Sequence, residues 1–226
     1  MQGKVLIVTG ARGALGNVVA DVARSRGALI AGIDHAPSQL PATPERIEIG
    51  GVDLSDAAQA KTAVDAAANH FGRLDALINI AGGFAFETVG DGDIKTWQRM
   101  YALNVLTALN ASRAALPHLA ASKAGRIVNI GAMGALQAGS GMGPYAASKA
   151  GVHRLTEALA SEWKGKVTVN AVLPSIIDTA ANRADMPKAD VSKWVTPQEL
   201  AEVILFLASD AASGVTGALI PVGGRV

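Results

Sequence analysis

"KVLIVTGARGALG", residues 4–16, decides the fold. Val5 to Val8 form a short apolar run of the kind a buried strand uses. It ends at Thr9 and Gly10, and an alanine-rich helix follows over roughly residues 14–26. Between strand and helix, Gly10, Gly13 and Gly16 let the backbone turn sharply and come close to a pyrophosphate. The helix start adds free N–H groups and a partial positive charge. Arg12, Ala14 and Leu15 complete the loop. Glycine spacing of this sort is common by itself, and its position after an opening strand gives it weight.

Outward from that stretch, strands and helices alternate to the end of the chain. Residues 28–34 read as a second strand, 37–45 as a loop, and 46–54 as containing a third strand. Residues 55–71 read as a helix capped by Ser55, and 74–83 as a fourth strand running into glycines. A long helical region covers about 93–121, with Pro117 disturbing its end, and 125–132 is a fifth strand. The next helix begins near residue 144 and runs to about Trp163. Residues 166–174 form a sixth strand, 196–210 a helix opened by a Thr196–Glu199 capping box, and "ALIPVGG" a seventh short strand. The strands are continuously apolar, as expected when both faces of a sheet are covered. The expected fold class is α/β: a doubly wound, mostly parallel, seven-stranded Rossmann-like sheet in a three-layer α/β/α arrangement, with residues 1–226 as one domain.

Composition narrows the function. Formal net charge is +1, which gives no reason to expect nucleic acid or an acidic membrane as partner. Cysteine is absent, which excludes disulfides, thiolate catalysis and zinc–thiolate sites. The apolar run before Gly10 is too short for a signal peptide, and no segment approaches a membrane span. A cytoplasmic protein acting on a small molecule is expected. The histidines at 35, 70, 118 and 153 form no ligand-spaced cluster, so no metal is expected, and His153 reads as a helix-surface group.

Asp34 ends the second strand, eighteen residues after Gly16. A carboxylate there can accept hydrogen bonds from the ribose hydroxyls of NAD and would repel the extra phosphate of NADP, so NAD is the expected cofactor. Arg12 either pairs with that phosphate or is a solvated loop residue. Asp53 and Leu54 follow the third strand and either meet the adenine or turn the chain into the next helix. Asn79, Ala81 and Gly82 follow the fourth strand at the same sheet edge, where Asn79 either passes near the cofactor or holds neighbouring strands together.

Tyr145 and Lys149 stand four apart on one helix and share a face. An ammonium beside a phenol lowers the phenol's pKa, and a phenol so tuned can give or take a proton as hydride moves. Asn104, in the long helix, either links Lys149 to solvent through a fixed water or is a satisfied core residue. Thr179 and the backbone of Ile177, after the sixth strand, either face a nicotinamide or merely cap the next segment. Ser148 points away from Tyr145 and reads as structural. Arg183, Met186 and Trp194, in the polar segment that follows, are candidate substrate contacts or plain loop surface.

Taken together these residues resemble the short-chain dehydrogenase/reductase family over essentially the whole chain. The family's opening T-G-x-x-x-G-x-G falls on Thr9, Gly10, Ala14 and Gly16, with alanine in place of the middle glycine. Its N-N-A-G falls on Asn79, Ile80, Ala81 and Gly82, and its P-G-x-x-x-T on Pro174, Ser175 and Thr179. The resemblance implies catalytic roles for Asn104, Tyr145 and Lys149, an NAD or NADP cofactor, and a homodimer or homotetramer packed through the two long helices. The family's serine, which bonds the substrate carbonyl, falls on Ala132, leaving backbone N–H groups near Ala132, or Ser140, as replacements. That departure, with "RGALG" at 12–16 and the segment 178–194, gives a narrower resemblance to dihydropteridine reductases, which lack the same serine. The expected activity is hydride transfer between a nicotinamide and a small carbonyl or alcohol. The alternatives are reduction of a quinonoid dihydropterin and a dinucleotide-binding sensor without turnover.

Overall fold

A computed structural model describes residues 1–226. Seven strands, β1 (Val5–Thr9), β2 (Leu29–Ile33), β3 (Arg46–Ile49), β4 (Ala76–Asn79), β5 (Gly125–Ile130), β6 (Val167–Pro174) and β7 (Leu219–Val222), form one sheet in the order β3-β2-β1-β4-β5-β6-β7. Every neighbouring pair is parallel. The helices are α1 (Ala14–Ser25), α2 (Ala57–Phe71), α3 (Ile94–Tyr101), α4 (Thr107–Ala121), α5 (Gly143–Glu162), α6 (Ala180–Asp185) and α7 (Pro197–Leu207).

Alternation along β1 sets the three layers. Val5 and Ile7 join a core with Ala60, Ala63 and Ala67 of α2, Ala111 and Ala115 of α4, and Leu159 of α5. Leu6 and Val8 face the other way, against Leu15 and Val19 of α1 and Leu200 and Ile204 of α7. Both faces are covered, which is why the strands carry no polar alternation. The strand order reverses between β1 and β4, and open α/β sheets bind ligands outside the strand ends at such a reversal. No helix is long and apolar enough to cross a membrane.

Element boundaries differ from expectation for local reasons. The cap of α2 is Asp56, not Ser55, because the Asp56 carboxylate accepts both the Ala58 and Gln59 N–H groups. Pro117 does not end α4, which continues to Ala121 with Pro117 on its exposed side. The long helical region is interrupted instead at Ala102–Leu106, where one π-helical turn joins α3 to α4. The Thr196–Glu199 capping box forms as read.

At the opposite end of the sheet, buried Asp75 accepts the Val5 N–H at 2.9 Å, the Ser122 hydroxyl at 2.7 Å and the Arg73 guanidinium at 2.6 Å. Burial alone would raise its pKa, but the hydrogen bonds from Arg73, Val5 and Ser122 outweigh it and hold the carboxyl below its ordinary value. A depressed carboxylate pKa contributes stability above the unfolded pKa, and that stability is lost as pH falls through the folded value. Asp75→Ala should therefore cost roughly 2 to 3 kcal/mol at neutral pH by leaving donors unpaired, and should flatten the loss of stability below about pH 4. Urea unfolding of both proteins at neutral and acid pH measures this, and equal midpoints at neutral pH would contradict it.

Candidate active site

A cleft of about 700 Å³ opens where the strand order reverses. Its walls include Gly10, Arg12, Gly13, Ala14 and Leu15 from the loop after β1, Asp34 after β2, Asp53 and Leu54 after β3, and Ala81 and Gly82 after β4. These are residues that the sequence singles out. His35, Ala36, Val52, Ser55 and Ile80, beside those residues in the loops, and Leu103 and Thr107, from the helical region after them, also line it and are not singled out by the sequence.

The glycine loop is built for close approach. Gly10 takes φ +64°, and a Cβ there would sit 3.0 Å from the Ala81 backbone. A Cβ on Gly16 would come within 2.1 Å of the Gly10 carbonyl oxygen, so a side chain there would force the loop outward. The Asp34 carboxylate accepts the Arg12 N–H and the Ala36 N–H, both at 2.9 Å, and so joins the loops after β1 and β2. The Arg12 guanidinium donates to the Pro37 carbonyl across the cleft edge. Asp53 accepts the Ser55 N–H and hydroxyl at 2.9 and 2.7 Å, so it turns the chain while also lining the cleft. A concave site with a bare-backbone loop at one end and a carboxylate at the other fits the adenosine and pyrophosphate portion of a dinucleotide.

Asn79 is not part of that cleft. It is 4% exposed, and its amide donates to Asn129 Oδ1 at 2.9 Å and Ser112 Oγ at 3.0 Å. Asn129 in turn donates to Thr156 at 2.9 Å. Asn79 therefore ties β4 to β5 and α4, as the strand-holding alternative expects, and its side chain does not line the cleft.

The second group of residues lies on α5 and the π-helical turn. The π turn carries Asn104, which is 1% exposed. Its Oδ1 accepts the Gly83 N–H and its Nδ2 donates to the Gly83 carbonyl, both at 3.0 Å. Nδ2 also donates to Ser148 Oγ at 3.0 Å, and Ser148 donates to the Tyr145 carbonyl at 2.7 Å. Ser148 thus braces the turn of helix that carries Tyr145. The buried Lys149 ammonium donates to the Ile130 carbonyl at 2.8 Å.

Tyr145 is half-buried, with the Phe84 ring edge-on at 5.0 Å. Burial pushes its phenol up to about 12 and the Lys149 ammonium down to about 8. Burial acts on both groups and favours the neutral form of each, opposing the acidification that the Tyr145–Lys149 spacing suggests.

Phe84, against Tyr145, and Phe86, against Gly141, are both largely exposed. The Glu87 N–H donates to the Gly141 carbonyl at 2.8 Å, and the Phe86 ring lies over Gly141, where a Cβ would come within 2.2 Å of it. Ala132 is 5% exposed, and Ser140 is exposed on the loop before α5.

The segment after β6 differs more from expectation. Pro174 is buried at the strand end, and Ile177 pairs with Val195. Thr179 caps α6 by accepting the Asn182 N–H at 3.2 Å. Arg183 forms a two-pronged ion pair with Asp178 at 2.5 and 2.7 Å, and Met186 is half-buried. Trp194 is corrected from a substrate contact to a packing residue: at 3% exposed, its indole offers almost no surface. His153 is likewise corrected. It is 2% exposed, because it follows Lys149 by one turn on the buried side of α5. No group of three His, Asp or Glu side chains is gathered for a metal ion.

The comparisons with known proteins agree with this geometry. A family model described as short chain dehydrogenase matches residues 4–190. The 2-(S)-hydroxypropyl-CoM dehydrogenase 3 of Xanthobacter autotrophicus is 31% identical, over 99% of this chain and 96% of that protein. Ligand-free aldohexose dehydrogenase of Thermoplasma acidophilum superposes with a TM-score of 0.89 at 26% identity, over 99% of this chain and 94% of that one. Carveol dehydrogenase of Mycobacterium avium, solved in complex with NAD, gives 0.87 at 28% identity, over 99% and 97%. The dinucleotide-fitting cleft and these matches make the chain a member of the short-chain dehydrogenase/reductase family, the NAD(P)(H)-dependent oxidoreductases of small carbonyl and alcohol substrates.

Proposed function

We propose that residues 1–226 form one catalytic unit, an NAD-preferring oxidoreductase that interconverts a small carbonyl compound and its alcohol. The observation that carries this reading is the bracing of Tyr145: Asn104 grips Gly83 and Ser148, and Ser148 grips the Tyr145 backbone, beside the Gly82 wall of the cleft. A homodimer or homotetramer packed through α4 and α5 accompanies the reading, since their many alanines permit close approach.

When bound, the nicotinamide dinucleotide supplies the hydride in reduction and accepts it in oxidation. Asp34 accepts hydrogen bonds from the adenosine ribose, and the loop from Gly10 to Gly16 offers N–H groups to the pyrophosphate. Tyr145 donates its proton from Oη to the carbonyl oxygen as the carbonyl carbon receives hydride, and takes the proton back in the reverse direction. A phenol held up near 12 is fully protonated at neutral pH, which suits it as the acid of reduction. Lys149, an ammonium below about 8, stabilises the phenolate left behind.

Ala132 favours a second reading within the same chemistry. Loss of a side-chain donor at a carbonyl oxygen costs a reductase roughly 3 kcal/mol. A quinonoid dihydropterin accepts hydride readily and needs less help than a ketone, and the aromatic edge of Phe84 beside Tyr145 suits a flat ring.

Three outcomes test the proposal. Tyr145→Phe should bind NADH within about threefold of the parent and lose about a hundredfold to ten-thousandfold in turnover. Initial rates across small aldehydes, ketones, quinones and quinonoid dihydropterin measure it, and undiminished turnover would remove Tyr145 from the mechanism. Binding without turnover of any acceptor by the parent protein would support a sensor instead. Reduction should be fastest below about pH 8 and decline as Lys149 loses its proton, whereas oxidation, which needs the phenolate, should rise with pH; rates from about pH 6 to about pH 10 in both directions check the signs. Asp34→Asn should weaken NADH and tighten NADPH by about tenfold each, because the repelling charge is gone while one acceptor remains. Fluorescence titration reads both constants, and equal affinity of the parent for the two cofactors would refute the preference.

A further inference from the structure

The buried line of α5 continues past Tyr145 and Lys149 to a third titratable side chain, His153. The Ala132 N–H donates to His153 Nε2 at 3.3 Å, so the imidazole is neutral there and carries its proton on Nδ1. Gly131 is the last residue held by the sheet, its N–H donating to the Val172 carbonyl at 2.9 Å. Ala132 is the first residue beyond it, and the imidazole holds its N–H. Ring and chain are fitted to each other: a Cβ on Gly131 would lie 2.5 Å from Nε2 and 2.7 Å from Cδ2 of His153. Gly131 has no positive φ, so the ring, not the backbone angle, is what excludes a side chain at 131.

We propose that His153 is a positioning residue, which acts through the Ala132 backbone to fix the segment Gly131–Met133 between β5 and α5. It holds the backbone at the position onto which the serine of the family pattern falls. The inference rests on Tyr145 being the acid of the same site.

This arrangement requires an uncharged ring. Burial, then the charges of Arg154 and Lys149, hold the His153 pKa below its ordinary value. Both of those cations are on α5, while the end of β5 and β6 present uncharged Gly131, just past the strand, and Leu173. Protonation would remove the acceptor from the Ala132 N–H and add a second cation near Lys149. Turnover should then carry an acid limb that belongs to His153, below the usual histidine range.

The test combines amide resonances of the cofactor-free protein with kinetics. The Ala132 N–H resonance should move upfield as pH is lowered through the His153 titration, and should not titrate in His153→Gln, whose side-chain oxygen accepts without protonating. His153→Leu should lose about fivefold to tenfold in kcat with NADH affinity unchanged, since one backbone hydrogen bond is left unmade. His153→Gln should recover most of that loss and lack the acid limb, and it carries the test alone if the leucine variant folds poorly. A pH-insensitive Ala132 resonance in the parent, or an acid limb unchanged in His153→Gln, would overturn the proposal. Failure of the Tyr145 assignment is separable, because it would appear as undiminished turnover in Tyr145→Phe while the Ala132 resonance still titrates.

Discussion

One threonine hydroxyl holds together the two loops between which the cofactor cleft opens. Thr9, 1% exposed at the end of β1, accepts the Ile80 and Ala81 N–H groups through Oγ at 3.0 and 3.1 Å. Its backbone partner in the sheet is Asn79, so the hydroxyl extends the β1–β4 ladder by side-chain bonds just where the ladder itself stops. Gly10 then turns with positive φ directly against Ala81. Without that fastening, the reversal of strand order would leave two loops free to separate, and the walls of the cleft would lose their spacing.

The α5 end of the site follows a parallel rule: its buried polar side chains are each fixed by a hydrogen bond to the backbone. Asn104 reaches Gly83 and Ser148 because a π turn adds one residue to the helix and rotates its amide inward. Lys149 is desolvated but bonded to the Ile130 carbonyl, and His153 is desolvated but bonded to the Ala132 N–H. Buried polar groups with single backbone partners are rigid and low in dielectric, which is where proton affinities depart furthest from their values in water.

Much of this was legible in the sequence. Seven strands, the crossover helices, the Thr196 box and the residues of the nucleotide cleft follow from apolar runs and glycine placement, since parallel sheets repeat one simple signal. What was not legible depended on neighbours distant in the chain. His153 read as a surface group although it stands four residues after Lys149; only the packing of α5 on β5 decides which side is buried. Trp194 lies among polar residues yet buries its ring. Asn79 sits in a family motif but serves the core, because Asn129 and Ser112 arrive from elements 50 and 33 residues away. The burial that opposes acidification of Tyr145 was not legible either, because spacing shows which groups are adjacent and says nothing of how much water remains around them.

The contact between Phe86 and Gly141 has a bearing on engineering. The Glu87 N–H and the Phe86 ring clasp Gly141, and α5 begins two residues later at Gly143. The segment carrying Phe86 and Glu87 is therefore fastened to the chain just before the helix that bears Tyr145. Segment and helix are mechanically geared in this scaffold, and a redesign around Phe86 and Glu87 must preserve the clasp or the start of α5 shifts with it.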